Sequence, residues 1–350
     1  MLRLPPFRYL RPASLAEAAA TLYGEGAGEG APVRLVAGGT DLWPNLKRRN
    51  QKAATVVSLM AIPGLDTIRD GEGAELAIGA TALLHDVASH LALRARYPAL
   101  ARAVESISSP PLRHMGTLGG NLCVDTRCTY YDQTEEWRRS IGYCLKEEGT
   151  VCWVAPGSRT CLAHAASDAA PMLAALGARA RLVAHDGERT VPVESLYVDD
   201  GIAYLAKRPE EILTEVLVPA QSDARSCRAA FWKLRRRGSI DFAVLSVAAA
   251  VWADPAGTVT RARIFLGAVA SAPVAATAAD DALVGRPLSA ESIRAAARLC
   301  RQAATPMDNT DFQAQWRNLM VERYAEAALG EIAGLRSAEP APRPAPQHTM

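Results

Sequence analysis

Arg34-Leu35-Val36-Ala37-Gly38-Gly39-Thr40-Asp41 is the stretch on which the fold turns: a short apolar β-type run ends abruptly in two glycines, a hydroxyl and a carboxylate. Glycine lets the backbone turn sharply and lets N–H groups approach an anion with no Cβ in the way. Thr40 adds a hydroxyl donor. Met115-Gly116-Thr117-Leu118-Gly119-Gly120-Asn121 repeats the same chemistry with small residues, a hydroxyl and an amide. One such loop is usually only a turn. Two in one domain fit a pyrophosphate held by backbone amides from separate loops. No G-x-G-x-x-G follows the first strand, so a Rossmann dinucleotide site is not expected.

Upstream of the first loop, Ser14 to Tyr23 reads as a helix: Ser14 is placed to cap it, Glu17 follows three residues later, and alanines fill the turns. The run GEGAGEGAP, residues 24–32, carries too many glycines for a stable element. Downstream, Ala54 to Leu59 and Glu75 to Gly79 read as strands, and Thr81 to Leu91 and Pro98 to Ile107 as helices by period. Asp168 to Leu176 is a further helix, and Ala180 to Ala184 with Thr190 to Val193 form a hairpin about Asp186-Gly187.

The pattern changes beyond Val218-Pro219. Ala229 to Leu234, Ala243 to Ala253 and Val259 to Gly267 read as three strands, with a reversal at Asp254-Pro255-Ala256-Gly257. Helices at Ser289 to Ala303 and Asp311 to Leu329 follow. Three strands and then two helices give a small antiparallel sheet backed by helices, an α+β terminal domain. The expected boundaries are two subdomains at 1–60 and 61–222, with an insert at about 122–162, a terminal domain at 223–331, and a proline-rich disordered tail at 332–350.

Charged residues make up 22% and hydrophobic ones 49%, as in ordinary globular proteins, and the net charge is only +2. Neither nucleic acid nor an anionic membrane is therefore expected as a partner. The longest apolar runs, such as Phe242 to Trp252, are too short to span a bilayer. Prolines break the basic start MLRLPPFRYLRP and no apolar segment follows it, so a cytoplasmic chain with reduced thiols is expected.

Cys128, Cys144, Cys152 and Cys161 fall in a charged and aromatic segment just after Cys123, so five of the seven cysteines occupy 39 residues. Such clustering points to metal ligation more than to disulfides. Spacings of 16, 8 and 9 match neither a zinc knuckle nor a C-x₂-C-x₂-C ferredoxin run, so spacing leaves zinc, a cubane cluster and plain thiols open. Trp137, Tyr143 and Trp153 are expected to form a small core around a metal. Cys227 and Cys300 are expected to be buried thiols. The six histidines show no metal-binding spacing.

Taken as a pair, the stretches VAGGTDL and GTLGGN resemble the flavin-binding subunits of the xanthine dehydrogenase and carbon monoxide dehydrogenase family, over roughly Phe7 to Gly330. That resemblance implies FAD bound between two α/β subdomains of the PCMH type, followed by a C-terminal three-stranded antiparallel sheet with helices. It implies that Val36, Ala37, Gly38, Gly39, Thr40 and Asp41 form the first pyrophosphate loop and Gly116, Thr117, Leu118, Gly119 and Gly120 the second. It also implies that Ile107 and Asp168 touch the flavin or its ribityl chain, that Lys233 lies near the isoalloxazine, and that Leu217 is an apolar contact. Without the resemblance, Ile107 reads as core, Lys233 as a strand-end surface charge, and Asp168 as a helix N-terminal residue stabilised by the dipole.

In typical members of the family the second loop runs almost directly into a segment resembling His164-Ala165-Ala166-Ser167-Asp168. Here roughly forty residues intervene. Their motifs, Arg127-Cys128, Tyr143-Cys144-Leu145, Gly149-Thr150-Val151-Cys152 and Ser158-Arg159-Thr160-Cys161, resemble the inserted loop of the 4-hydroxybenzoyl-CoA reductases. This narrower resemblance implies a [4Fe–4S] cluster on Cys128, Cys144, Cys152 and Cys161, with Cys123 outside the ligand set. It implies electron flow from a ferredoxin-like donor through the cluster to FAD, then to [2Fe–2S] and molybdenum subunits of a hetero-oligomer, a dimer of heterotrimers. The implied reaction is removal of the ring hydroxyl of 4-hydroxybenzoyl-CoA to give benzoyl-CoA. Two alternatives stand beside it: an FAD subunit of an oxidising molybdenum hydroxylase of the xanthine, carbon monoxide or aldehyde dehydrogenase type, and a zinc-stabilised insert that serves only for docking.

Overall fold

The structure, a computed structural model, describes residues 2–26, 32–220 and 227–335. The apolar runs flanking the first glycine loop pair into a parallel sheet of β1 (Arg8–Leu10), β2 (Val33–Val36) and β3 (Thr55–Ser58), in the order β1-β3-β2. Parallel strands need crossover connections, and α1 (Leu15–Gly26) links β1 to β2, which flank β3 on opposite sides. Its start is doubly capped: Ser14 Oγ accepts the Glu17 N–H at 3.2 Å, and the Glu17 carboxylate accepts the Ala13 N–H at 2.8 Å. The helix runs three residues into the expected glycine loop, and residues 27–31 lie outside the described residues. α2 (Leu42–Lys47) follows the first glycine loop directly.

The second sheet is antiparallel throughout. It comprises β4 (Ile68–Asp70), β5 (Leu76–Gly79), β6 (Arg179–Ala184), β7 (Gly187–Pro192) and β8 (Ile212–Val218), in the order β4-β5-β8-β6-β7. The Asp186-Gly187 hairpin is as expected. The central strand, β8, is not among the expected ones, although all seven of its residues are buried. Six helices accompany this sheet among the described residues, α3 (Leu84–Ser89), α4 (Leu91–Arg96), α5 (Pro98–Glu105), α6 (Pro110–Arg113), α7 (Leu118–Leu122) and α9 (Ala169–Ala175), while α8 (Glu135–Ser140) belongs to the insert. The single helix expected over Thr81 to Leu91 is instead α3 followed by α4. His90, extended at φ −61° and ψ 122°, separates them, and Thr81 is held in the turn after β5 by its N–H bond to Leu65 O at 2.8 Å.

The terminal domain contains β9 (Cys227–Leu234), β10 (Leu245–Ala253), β11 (Val259–Gly267) and β12 (Val274–Ala275), with α10 (Thr277–Leu283), α11 (Ala290–Ala303) and α12 (Ala314–Ile332). The expected three-stranded sheet thus has a fourth, two-residue edge strand, too short to carry any periodicity. Period-2 alternation assigns its faces. Phe231, Ala248, Ala250 and Phe265 join the core of the second subdomain around the wholly buried α9, whereas Trp232, Val247, Ala249 and Ile264 pack with α11 and α12. Cys300 is fully buried as expected, but Cys227, at the strand end, stays partly exposed. Past α12 the described chain ends at Leu335, and the rest of the expected tail lies outside it. No described helix is long and apolar enough to cross a membrane.

Asp280 on α10 has one carboxylate oxygen buried with no partner, and burial raises its pKa to about 7. A raised acid binds its proton more tightly in the folded chain. Its favourable contribution is therefore complete below the unfolded value near 3.8 and is lost as pH rises through about 7. We expect Asp280→Asn to melt several degrees above wild type at pH 8 and close to it at pH 4. A gain of the same size at both pH values would show that the charge is not the cause.

Candidate functional site

The first glycine loop leaves β2 at Val36 and reaches α2 through Gly39, whose φ is +70°. Both glycines are required by what lies against them. A Cβ on Gly38 would overlap the carbonyl oxygen of Met115, so the two glycine loops meet backbone to backbone at this point. A Cβ on Gly39 would overlap the indole of Trp43, which stacks on Phe7 at 5.7 Å. In the second loop Thr117 caps α7, its Oγ1 accepting the Gly120 N–H at 3.1 Å. The first loop follows β2 and the second lies between α6 and α7, so their contact forms a seam that joins the first sheet to the helices that cover the second.

A cleft of about 410 Å³ opens along that seam, within the range of small-molecule sites. Val36 to Asp41, Ile107, Gly116, Thr117, Gly119 and Gly120 line it. The other residues singled out from the sequence do not. Leu118 points into the core with no exposed surface, and Leu217 lies in β8 opposite Ala77 and Arg179. Asp168 and Lys233 form an ion pair at 2.6 Å with both side chains under 5% exposed, so Lys233 is no surface charge. Lys233 also donates to Ser106 O at 3.1 Å, one residue before Ile107. Burial pushes the Asp168 carboxyl up while Lys233 opposes it, and the second carboxylate oxygen has no partner. The cleft wall includes Asp125, Tyr204, Lys207 and Phe242, none of which belongs to a sequence motif. Asp41 accepts from Asn45 at 2.9 Å and from the Arg127 guanidinium, which lies 4.7 Å from the Phe242 ring centroid. Burial raises the Asp41 pKa against the pull of Arg127.

The insert leaves and returns through one antiparallel bridge, Arg127 N–H to His164 O at 2.9 Å and His164 N–H to Arg127 O at 2.8 Å. Between these points Cys128, Cys144, Cys152 and Cys161, all buried and unbridged, line one small cavity together with Tyr131 and Lys146. Backbone N–H groups of Tyr130 and Tyr131 point to the Cys128 sulfur, those of Lys146 and Glu147 to Cys144, and that of Ala163 to Cys161. Burial nevertheless pushes the Cys128 thiol up to about 12 and Cys161 to about 11, partly offset at Cys161 by Lys146. Cys123 lines the cleft between the glycine loops and not this cavity.

Of the aromatic residues expected to form the insert's core, Trp137 and Trp153 are each 38% exposed, although Trp153 lines the cysteine cavity, and Tyr143 is half-buried. Tyr131 and Ala163 pack with the cysteines instead. Among the described residues no group of three or more His, Cys, Asp or Glu is arranged to hold a metal ion. A tetrahedral zinc with Zn–S near 2.3 Å draws its sulfurs to about 3.8 Å from one another. Four thiols around a shared cavity, without that convergence, do not fit a single zinc ion. Four cysteines, three of them receiving backbone N–H groups, are a donor set that would suit an iron–sulfur cluster, although the cavity they share measures only about 10 Å³.

Residues 5–221 match the family described as the FAD binding domain in molybdopterin dehydrogenase, and residues 229–332 the carbon monoxide dehydrogenase flavoprotein C-terminal domain. The chain is 28% identical to the carbon monoxide dehydrogenase medium chain of Hydrogenophaga pseudoflava, over 94% of this chain and 99% of that one. It is 30% identical to the FAD-binding subunit of an aldehyde oxidoreductase from Escherichia coli, over 71% of this chain and 79% of the relative. A solved structure of carbon monoxide dehydrogenase from H. pseudoflava superposes with a TM-score of 0.76 at 27% identity, covering 96% of this chain and all of that one. Two glycine loops meeting across a cleft, in a chain that follows these relatives from end to end, place it plainly: it belongs to the FAD-binding oxidoreductase subunits of the xanthine and carbon monoxide dehydrogenase family.

Proposed function

We propose that this chain holds FAD in the cleft between its glycine loops and relays electrons for a molybdenum enzyme that oxidises its substrate on a partner subunit. The cleft carries the reading: the backbone contact between Gly38 and Met115 presents both loops to one ligand. FAD, when bound, supplies one- and two-electron exchange. The amides of residues 37–40 and 116–120 hold its pyrophosphate, with Val36 and Asp41 fixing the ends of the first loop and the buried Leu118 anchoring the second. Ile107 packs against the flavin. Lys233 and Asp168 act behind it, pinning Ser106, and Leu217 supports the wall from β8. The partners are a molybdenum-cofactor subunit and a [2Fe–2S] subunit in a cytoplasmic hetero-oligomer, a dimer of heterotrimers. Relatives named medium chain or FAD-subunit support this.

The cysteine cavity favours a second reading. Four thiols from separate turns of one insert, three of them receiving backbone N–H groups, support a [4Fe–4S] cluster on Cys128, Cys144, Cys152 and Cys161. Such a cluster can work at low potential and suits entry of electrons from a ferredoxin-like donor. Flow would then be inward, toward reductive dehydroxylation of a substrate such as 4-hydroxybenzoyl-CoA.

Iron, zinc and acid-labile sulfide per FAD on the anaerobically purified chain test both readings. FAD with roughly four irons and four sulfides supports the second. FAD with neither leaves the first alone, and absence of FAD overturns both. In Cys144→Ser we expect iron to fall to less than half of wild type while FAD stays bound. Unchanged iron removes Cys144 from the ligand set.

A further inference from the structure

Between the flavin-side cleft and the cysteine cavity stands a partition built around one buried ion pair. Lys146 lines the cysteine cavity, Asp125 lines the cleft, and they meet at 2.7 Å with each side chain 6% exposed. The ammonium also donates to Gly201 O at 2.6 Å and to the Thr126 hydroxyl. It sits 5.0 Å from the Tyr131 ring centroid on the cysteine side and 5.6 Å from the Tyr204 ring centroid on the cleft side. Asp125 is held in turn by Gln51 Nε2 at 2.9 Å and by the Thr126 N–H at 2.9 Å.

Burying an ammonium and a carboxylate is costly, and an apolar pair of similar volume often serves packing as well or better. The pair stands where its charges act in opposite senses. The cation lines the cavity of the four thiols and acts on the Cys161 sulfur, and as thiolates the four would bring four negative charges to that cavity. The anion partly cancels the cation and faces the cleft. The potential of a thiolate-held cluster depends on net charge and on hydrogen bonds to its sulfurs.

We infer that Lys146 and Asp125 are positioning residues for electron transfer: Lys146 raises the reduction potential of the cysteine-held group, and Asp125 limits that rise. The inference rests on the cluster reading above. Neutralising each partner therefore moves the potential in opposite directions. A merely structural role has no such signature, because cutting either end of a structural bridge disturbs the cavity in the same way.

The test is a redox titration of the iron–sulfur signal on anaerobically purified chain, in wild type, Lys146→Gln, Lys146→Arg and Asp125→Asn, with bound FAD measured alongside. Lys146→Gln should shift the reduction equilibrium about tenfold toward the oxidised form, about 59 mV lower for a one-electron couple. Asp125→Asn should shift it toward the reduced form, and Lys146→Arg should stay near wild type. Iron lost from Lys146→Gln but kept by Lys146→Arg also supports the inference, because charge and not shape then decides. Shifts of one sign, no shift, or iron lost from both Lys146 variants overturns it while the cluster reading stands. A wild-type chain without iron overturns the cluster reading, and this inference with it.

Discussion

Gly38→Val is expected to purify almost free of flavin. The Cβ of any residue at this position would overlap the Met115 carbonyl oxygen, and backbone cannot rotate away as a side-chain end can. The loops must part, and strain of this kind in packed structure costs about 1–3 kcal/mol. If that cost falls on the ligand-binding geometry, affinity drops roughly 10- to 100-fold. Gly38 lies at the cleft and not in a main core, so the melting temperature of the flavin-free protein should stay near that of wild-type apoprotein. The measurement is FAD per chain by absorbance, followed by titration of apoprotein with FAD. Wild-type occupancy would remove the contact between the loops from the account of flavin binding.

Arg138→Ala should release the insert from the first subdomain. This guanidinium is 1% exposed and grips both Glu147 oxygens, at 2.7 and 3.1 Å. It also donates to Asn50 Oδ1 at 3.0 Å, Gln133 O at 2.7 Å and Arg48 O at 3.2 Å. Asn50 closes the same joint by donating to Tyr131 O at 2.6 Å. Removing one partner of a buried ion pair leaves the other charged and uncompensated, which costs about 3–5 kcal/mol. Local opening of the insert should absorb much of that cost. Protease should then cut within residues 128–163, and the four cavity thiols should react quickly with a thiol reagent. FAD should stay bound, since neither glycine loop depends on Arg138. Unchanged protection of the thiols would show that the insert is held elsewhere.

The two experiments probe separate parts of the molecule. Gly38 concerns the seam between the glycine loops, and Arg138 concerns the insert docked on the first subdomain. Asp41 links the two regions, because Arg127, the first residue of the insert's neck, binds its carboxylate.

Features that depend on neighbouring residues could be read in advance. A turn with φ of +70° needs glycine at Gly39, a hairpin needs Asp186-Gly187, and Ser289 announces the start of α11 through its bond from the Ser292 N–H at 3.2 Å. The four clustered cysteines stood out for a similar reason: so many thiols in one short segment are uncommon outside disulfide frameworks and metal sites. These are demands of the local backbone, or of a single side-chain chemistry, and few residue types satisfy them.

Tertiary structure alone decided which segments meet. β8 takes the centre of its sheet only because β5 and β6 approach it from opposite sides. Lys233 sits in a run of basic residues, yet it is buried because Asp168, 65 positions away, closes on it. Tyr204, Lys207 and Phe242 reach the cleft from irregular segments with no periodicity to betray them. Local sequence dictates where a chain turns and which residues avoid water. The surroundings of a charge depend on partners far along the chain, whose approach is set by the summed packing of whole elements.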